Sequence, residues 1–399
     1  MESFQNILRD YGTYGFVAFA TTVFLTPLAM RLAFRYGVLD IPDQKLKPHA
    51  RPIPYLGGAA ICVAWVLACV VAMWTGTVSD LGTMIPIVLG GLAMSALGLV
   101  DDVRDISPRI RLLVGALVIS AVILTTGTGL RLVESVTVGL VAVLRDVGVE
   151  TSAETIDALR PVGTVVSFVL GLFIVLGACN SANLIDGLDG LCSGVTAIIS
   201  LGFFLLAAHL AVHNFSASGD PVRLTLAIAM AGAALGFLPW NFNPARIFMG
   251  DAGSVLLGYN CGLLILLFAE NSKFRWVVGA LMIFALPVFD TALAMFRRLR
   301  SGRSIFEGDR SHFYDQLVQR GLTVKQTVLV CYLLTCAYAA VGLLMTWVRQ
   351  GQPVIQTRWA VPLYVGVVVA SAAAAWATGL THPDERRNVS RRARPTGKP

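Results

Sequence analysis

Residues 162–212 read VGTVVSFVLGLFIVLGACNSANLIDGLDGLCSGVTAIISLGFFLLAAHLAV, two apolar stretches joined by the polar run NSANLIDGLDG at 180–190. Each flank is long enough to cross a hydrocarbon layer as a helix, which satisfies its own backbone there. The run between them sets Asn180, Asn183, Asp186 and Asp189 three residues apart. Acids at such a place are costly unless they work, so the run marks a candidate site. Three-residue steps drift about 60° around a helix and the four side chains do not share one face, so a break at Gly187 is expected.

The rest of the chain repeats the apolar pattern. Hydrophobic residues make up 56% of the 399 positions and charged residues 14%, a composition outside the range of ordinary soluble domains. Stretches at 12–34, 57–76, 83–100, 110–127, 162–180, 190–212, 224–240, 253–269, 274–296, 323–347 and 360–379 predict an all-α integral membrane protein of about eleven transmembrane helices. An odd count puts the termini on opposite sides. The segments after spans one, three, seven and nine, with the tail, hold roughly 22 of the 31 Lys and Arg, so this side is expected to be cytoplasmic, with the N-terminus outside and the C-terminus cytoplasmic. Residues 1–380 then form one polytopic domain, and the basic stretch 381–399 a disordered cytoplasmic tail. The first span is longer than a signal-peptide core and is expected to be retained.

The basic runs RRLRSGRS (297–304) and DERRNVSRRARP in the tail read as topology signals and attraction to anionic lipid, with no nucleic-acid partner implied. The first loop differs: Lys45, Lys47, His49 and Arg51 stand among Pro42, Pro48, Pro52 and Pro54, which stiffen it enough to carry function. The seven cysteines form no CxxC pair and read as buried free thiols. Residues 128–161 read as either a short hairpin or a surface helix.

With that topology, Asp101 and Asp102 after span three, Asp186 and Asp189 after span five, Asp251 after span seven and His312 after span nine reach one face, together with the Lys47 loop. Singly, each has a plain reading as a solvated helix end, a cap or an interfacial histidine. Jointly they describe a site. Oxygen ligands without thiols suit a hard cation such as Mg²⁺, with Mn²⁺ as a substitute, held by one or two carboxylates and a substrate phosphate. Arg104, Arg109, Arg111 and Arg310 are available to the phosphate oxygens. No GxxxxGK(S/T) run occurs, which excludes a P-loop NTPase. A secondary transporter would hold its acids near the midplane, and a CDP-alcohol phosphotransferase needs a DGxxAR-type run that DGLDGLCSG lacks.

The runs KPHARPIPYLGG (47–58), GLVDDVRDISPRIRLLVG (98–115), NSANLIDGLDGLCSG (180–194), NPARIFMGDAGSVLLGY (243–259) and GDRSHFYDQL (308–317) resemble, in order, the motifs of the polyprenyl-phosphate N-acetylhexosamine-1-phosphate transferases, the superfamily of MraY, WecA and TagO. The resemblance covers about residues 40–325 and is specific as a set. It implies transfer of a sugar 1-phosphate, with UDP-GlcNAc the leading donor, to a membrane polyprenyl phosphate such as undecaprenyl phosphate. UMP is released with Mg²⁺ as cofactor, in the first lipid-linked step of cell-envelope polysaccharide synthesis at the cytoplasmic face of the plasma (inner) membrane. A homodimer is compatible with it.

By the same resemblance Asp101, Asp102 and Asp186 are catalytic acids, and Asp251 with Asn183 holds the metal. Phe248 stacks on uracil, Asp189 hydrogen-bonds the uridine, and Arg111, Arg310 and His312 contact the diphosphate. Lys47 and Asn180 join the substrate-binding set. Eleven spans with the N-terminus outside resemble the WecA and TagO branch. That branch usually has the pattern DRxHxHH, whereas DRSHFYDQL keeps His312 and sets Tyr314 and Asp315 where further histidines stand. The histidine-rich motif of MraY is also absent, and Leu46 stands where an arginine is common. These departures bear on the sugar, so the alternative donors are UDP-MurNAc-pentapeptide and another UDP-N-acetylhexosamine. A phosphomonoester with a second pKa of about 6 is mostly dianionic at neutral pH, so positioning and electrostatics outweigh a carboxylate base. The working hypothesis is direct attack on the β-phosphorus; a trapped aspartyl phosphate would refute it.

Overall fold

Apolar runs in this chain become helices because no other open structure closes its backbone hydrogen bonds in lipid. The computed structural model describes residues 4–41, 52–104, 106–137, 141, 153–213, 220–269, 274–300, 302, 312–349, 352–355 and 357–380. In chain order these form α1 (Phe4–Tyr36), β1 (Leu39–Asp40), β2 (Ile53–Pro54), α2 (Gly57–Trp74), α3 (Leu81–Arg104), α4 (Pro108–Thr126), α5 (Ala153–Ile185), α6 (Leu191–Val212), α7 (Asp220–Asn241), α8 (Gly250–Leu267), α9 (Phe274–Ile283), α10 (Ala285–Arg300), α11 (Phe313–Gln319), α12 (Val324–Thr346), β3 (Val348–Arg349), β4 (Gln352–Pro353) and α13 (Thr357–Ala377). Among the described residues, ten helices are long and apolar enough to cross a membrane, and a bent pair makes an eleventh span if taken as one. The protein is an all-α, multi-pass membrane protein; β1-β2 and β3-β4 are only short antiparallel pairs.

Local chemistry sets the helix limits. Ser107 caps α4, Pro108 takes its first position, and Gly127 ends it with a φ of 71°, each residue suited to its place. Thr323 and Gln326 form a capping box at the start of α12, which satisfies two free amides at once. The break expected near Gly187 is present: α5 stops at Ile185 and α6 starts at Leu191.

Four expectations need correction. The ninth span is not one helix, because α9 and α10 meet at 71°; Pro287 has no N–H for the Ile283 carbonyl and its ring crowds that turn. Of residues 128–161, 132–137 are helical and 138–140 and 142–152 lie outside the described residues, while 153–160 are neither hairpin nor separate surface helix but the first turns of α5. Arg297 is more than a topology signal: only 2% exposed, it donates to the Leu380 carbonyl at 3.0 Å. Arg320 donates to the Thr378 carbonyl at 2.7 Å, so two guanidiniums secure the C-terminal end of α13. Six of the cysteines are buried thiols, while Cys336 faces outward. The tail 381–399 lies outside the described residues.

Helix α8 is buried along nearly its whole length and packs against α2, α3 and α5. Because α3 and α5 end where α4, α6 and α8 begin, the chain changes direction repeatedly at one end of the bundle. That end collects the acids.

Candidate active site

The site is built around the N-terminus of α8, where the first amides have no partners within the helix. Met249, at the cap position, offers no side-chain bond. Asp102 supplies it from α3: Oδ1 accepts from the Asp251 amide at 2.8 Å and Oδ2 from the Ala252 amide at 3.2 Å. Gly250, with a φ of 69°, leaves the room this needs, since a Cβ there would collide with the Asp102 carboxylate. Asp251 is therefore not the cap of its own helix. Its carboxylate points across the site, where Oδ1 accepts from Asn183 Nδ2 at 2.6 Å and Oδ2 from Arg111 Nη1 at 2.6 Å.

The same Arg111 nitrogen donates to Asp101 Oδ2 at 2.7 Å, and Asp101 Oδ1 accepts the Ile106 amide at 2.8 Å. One guanidinium thus bridges acids from α3 and α8. Asn183 also donates to Ser254 Oγ at 3.1 Å, which leaves its carbonyl oxygen for another partner.

The turn 186–190 contributes two further acids. Burial and then the Asp251, Asp102 and Asp189 carboxylates push the Asp186 carboxyl well above its ordinary range, since like charges and low dielectric both disfavour the anion. Asp189 Oδ2 accepts from Asn243 Nδ2 at 2.8 Å and the Ala245 amide at 2.9 Å. Asn241 secures the turn from the other side. Its Oδ1 takes the Gly190 amide at 3.1 Å and Ser193 Oγ at 3.0 Å, and its Nδ2 donates to the Ile247 carbonyl at 3.1 Å.

Phe248 is fixed through its backbone, with its amide on the Pro54 carbonyl at 2.9 Å and its carbonyl on the Gly57 amide at 3.0 Å. Tyr55 meets its ring edge-on at 6.3 Å. Burial and the nearby Asp102, Asp251 and Asp186 charges raise the Tyr55 phenol.

A hard divalent cation fits the donor set. Asp101, Asp102, Asp186, Asp189 and Asp251 are oxygen donors, Arg111 is bonded to two of them, and no hydrogen bond reaches the Asp186 carboxylate from a described residue. Among the described residues no three His, Cys, Asp or Glu side chains close around one point. Carboxylate and carboxamide oxygens are the ligands of an ion that keeps water and takes substrate oxygen.

The structure brings together Asp101, Asp102, Asp186, Asp189, Asn183, Asp251, Phe248 and Arg111. Asn180 is exposed on α5 and outside this network. Lys47 and Arg310 lie outside the described residues. His312 is buried, with Nδ1 2.8 Å from Asp290 Oδ2. Tyr314 donates its hydroxyl to the Leu184 carbonyl at 2.8 Å, closing the last turn of α5. Sequence reasoning missed Asp290, Asn241 and Tyr55. A lone acid in LPVFDTALAMF was the available signal for Asp290.

Residues 84–269 match the family described as glycosyl transferase family 4. The chain is 31% identical, over 80% of its length and 80% of the relative's, to a probable undecaprenyl-phosphate N-acetylglucosaminyl 1-phosphate transferase of Bacillus subtilis. It is 30% identical, over 82% of its length and 80% of the relative's, to a decaprenyl-phosphate N-acetylglucosaminephosphotransferase of Mycolicibacterium smegmatis. It is also 32% identical, over 82% of its length and 93% of the relative's, to a phospho-N-acetylmuramoyl-pentapeptide-transferase of Corynebacterium urealyticum.

Proposed function

The chain belongs to the polyprenyl-phosphate N-acetylhexosamine-1-phosphate transferases, and on that premise we propose that it moves N-acetylglucosamine 1-phosphate from UDP-GlcNAc to a membrane polyprenyl phosphate. The observation that carries this is the gathering of five aspartates from three separated segments at one end of the bundle, with Arg111 bridging two of them. Such an end meets a nucleotide from water and a lipid from the side, as the reaction requires. By the distribution of Lys and Arg it is the cytoplasmic face of the plasma membrane, with the N-terminus outside. Residues 1–380 act as one membrane domain.

Each side chain then has a task. Asp251 and the Asn183 carbonyl oxygen, to which no described residue donates, would hold Mg²⁺, which when bound would supply positive charge against the phosphates. Asp102 fixes the first turn of α8 and so the direction of Asp251. Phe248 offers an apolar face to uracil, and the Asp189 oxygen not used by Asn243 and Ala245 accepts from the nucleoside. Arg111, Arg310 and His312 complement the diphosphate, with Lys47 and Asn180 at its edge. An oxygen of the acceptor phosphate attacks the β-phosphorus, the bond from that phosphorus to the α–β bridging oxygen breaks, and UMP leaves. Asp101 orients Arg111, and Asp186 sits beside the reacting phosphates. Charge arrangement rather than proton removal carries the rate.

The two N-acetylglucosamine transferases among the relatives support the donor. The acetylmuramoyl-pentapeptide transferase, at comparable identity, supports the second reading. Purified protein offered each UDP-sugar with polyprenyl phosphate, read by UMP release and mass spectrometry of the lipid, separates them. Lipid product from UDP-MurNAc-pentapeptide alone, or only from another UDP-N-acetylhexosamine, would overturn the donor; product from no UDP-N-acetylhexosamine would overturn the reaction. Asp251→Ala should abolish Mg²⁺-dependent UMP release while the protein still inserts.

A further inference from the structure

Asp290 is the one acid in the run LPVFDTALAMF (286–296), and the residue is 2% exposed. A carboxylate that deep must be hydrogen-bonded and paired to be tolerated. Both oxygens are used on one short segment: Oδ2 is 2.8 Å from His312 Nδ1, and Oδ1 accepts the Phe313 amide at 2.7 Å. His312 stands at the cap position of α11 without a side-chain cap of its own, so Asp290 caps that helix from α10 while holding the ring. Backbone and imidazole are fixed together.

The Tyr314 ring stacks on His312, 5.5 Å between centroids and 7° from parallel, and its hydroxyl is tied to Leu184, beside Asn183. Next to Asp290, the Thr291 hydroxyl pairs with Ser181 at 3.0 Å. The 71° turn between α9 and α10 therefore aims residues 290 and 291 at the His312 segment and at the helix that carries Asn183.

We propose that Asp290 is a positioning residue for the transfer reaction: it takes the Nδ1 proton of His312 in a hydrogen bond and so fixes Nε2 as the ring nitrogen presented to the donor diphosphate. This rests on the reading that His312 serves the diphosphate. A ring that donates to both Asp290 and a phosphate oxygen carries protons on both nitrogens. A carboxamide at 290 would still accept the Phe313 amide through Oδ1 but would turn an N–H toward Nδ1, which then has to be bare.

The test uses full-length protein in nanodiscs with UDP and Mg²⁺. The chain has five histidines, so a histidine-selective ¹⁵N spectrum is sparse, and His312→Gln assigns the signal. Asp290→Asn should remove the Nδ1–H signal of His312 and lower kcat on the order of 100-fold, the scale for losing one charge-stabilising donor. Adding Asp290→Asn to His312→Gln should cause no further loss, because the two act as one unit; an aspartate that only supports the fold would multiply the losses. Retained Nδ1–H with wild-type kcat in Asp290→Asn, beside an inactive His312→Gln, would overturn the role of Asp290 alone. Normal turnover in His312→Gln would instead overturn the underlying reading. If Asp290→Asn fails to fold, Asp290→Glu is read in the same spectrum: a retained Nδ1–H supports the pairing, and its loss with wild-type kcat overturns it.

Discussion

Gly98 lies on α3 where a Cβ would come within 2.5 Å of the Asp251 carbonyl carbon and oxygen and 2.6 Å of the Ala252 nitrogen. These are backbone atoms of the first turn of α8, so no side-chain rotation relieves the clash. Ordinary contact begins at 3.4 Å, and Gly98→Ala must therefore move the turn bearing Asp251 by about 0.9 Å, enough for a loss on the order of 100-fold in turnover if that carboxylate works as proposed. Overpacking costs about 1–3 kcal/mol, and the better helix propensity of alanine returns up to about 1 kcal/mol. The net expectation is a modestly destabilised, inserted protein with severely reduced UMP release and a smaller thermal shift with Mg²⁺. Gly177→Ala is the control, because a methyl group at that position on α5 would meet nothing within 4 Å. Melting curves in nanodiscs with and without Mg²⁺, beside initial rates of UMP release, decide it. Equal turnover in Gly98→Ala and Gly177→Ala would refute the claim that α3 sets the position of Asp251.

Arg111→Gln removes the cation between Asp101 and Asp251, so Mg²⁺ should raise the melting temperature of this variant more than that of the wild type, while turnover falls; a smaller shift would contradict a charge balance in which Arg111 offsets the two acids. Asn241→Ala strands the Gly190 amide and Ile247 carbonyl and should destabilise by about 2 kcal/mol, with weaker UDP binding by calorimetry because the turn bearing Asp189 loosens. Tyr314→Phe keeps the stack on His312 but loses the bond to Leu184, worth about 1 kcal/mol; turnover should fall far less than in His312→Gln, and an equal fall would assign the hydroxyl a direct part in the reaction.

Much of the fold was legible because it depends on local quantities. Hydropathy over about 20 residues locates a span wherever it falls in the chain, and the Asn and Asp spacing with Gly187 and Gly190 required a break where α5 and α6 part. The bend at Phe284 was also encoded, in Pro287, but an apolar run of full length hid it. The acids were legible as a set since charge stands out against an apolar background. Their individual bonds were not.

The sequence by itself determined an all-α membrane protein, the approximate limits of its spans and the residues eligible for a site, because backbone satisfaction in lipid and turn chemistry act over a few residues. Only the tertiary structure decided that Asp102 caps a helix 149 positions away, that Arg111 reaches Asp251 across 140 positions, and that Asp290 holds His312. Those contacts arise from the close packing of α3, α5 and α8 and the turn into α10, and no pattern confined to one segment can specify which distant partner a carboxylate will meet.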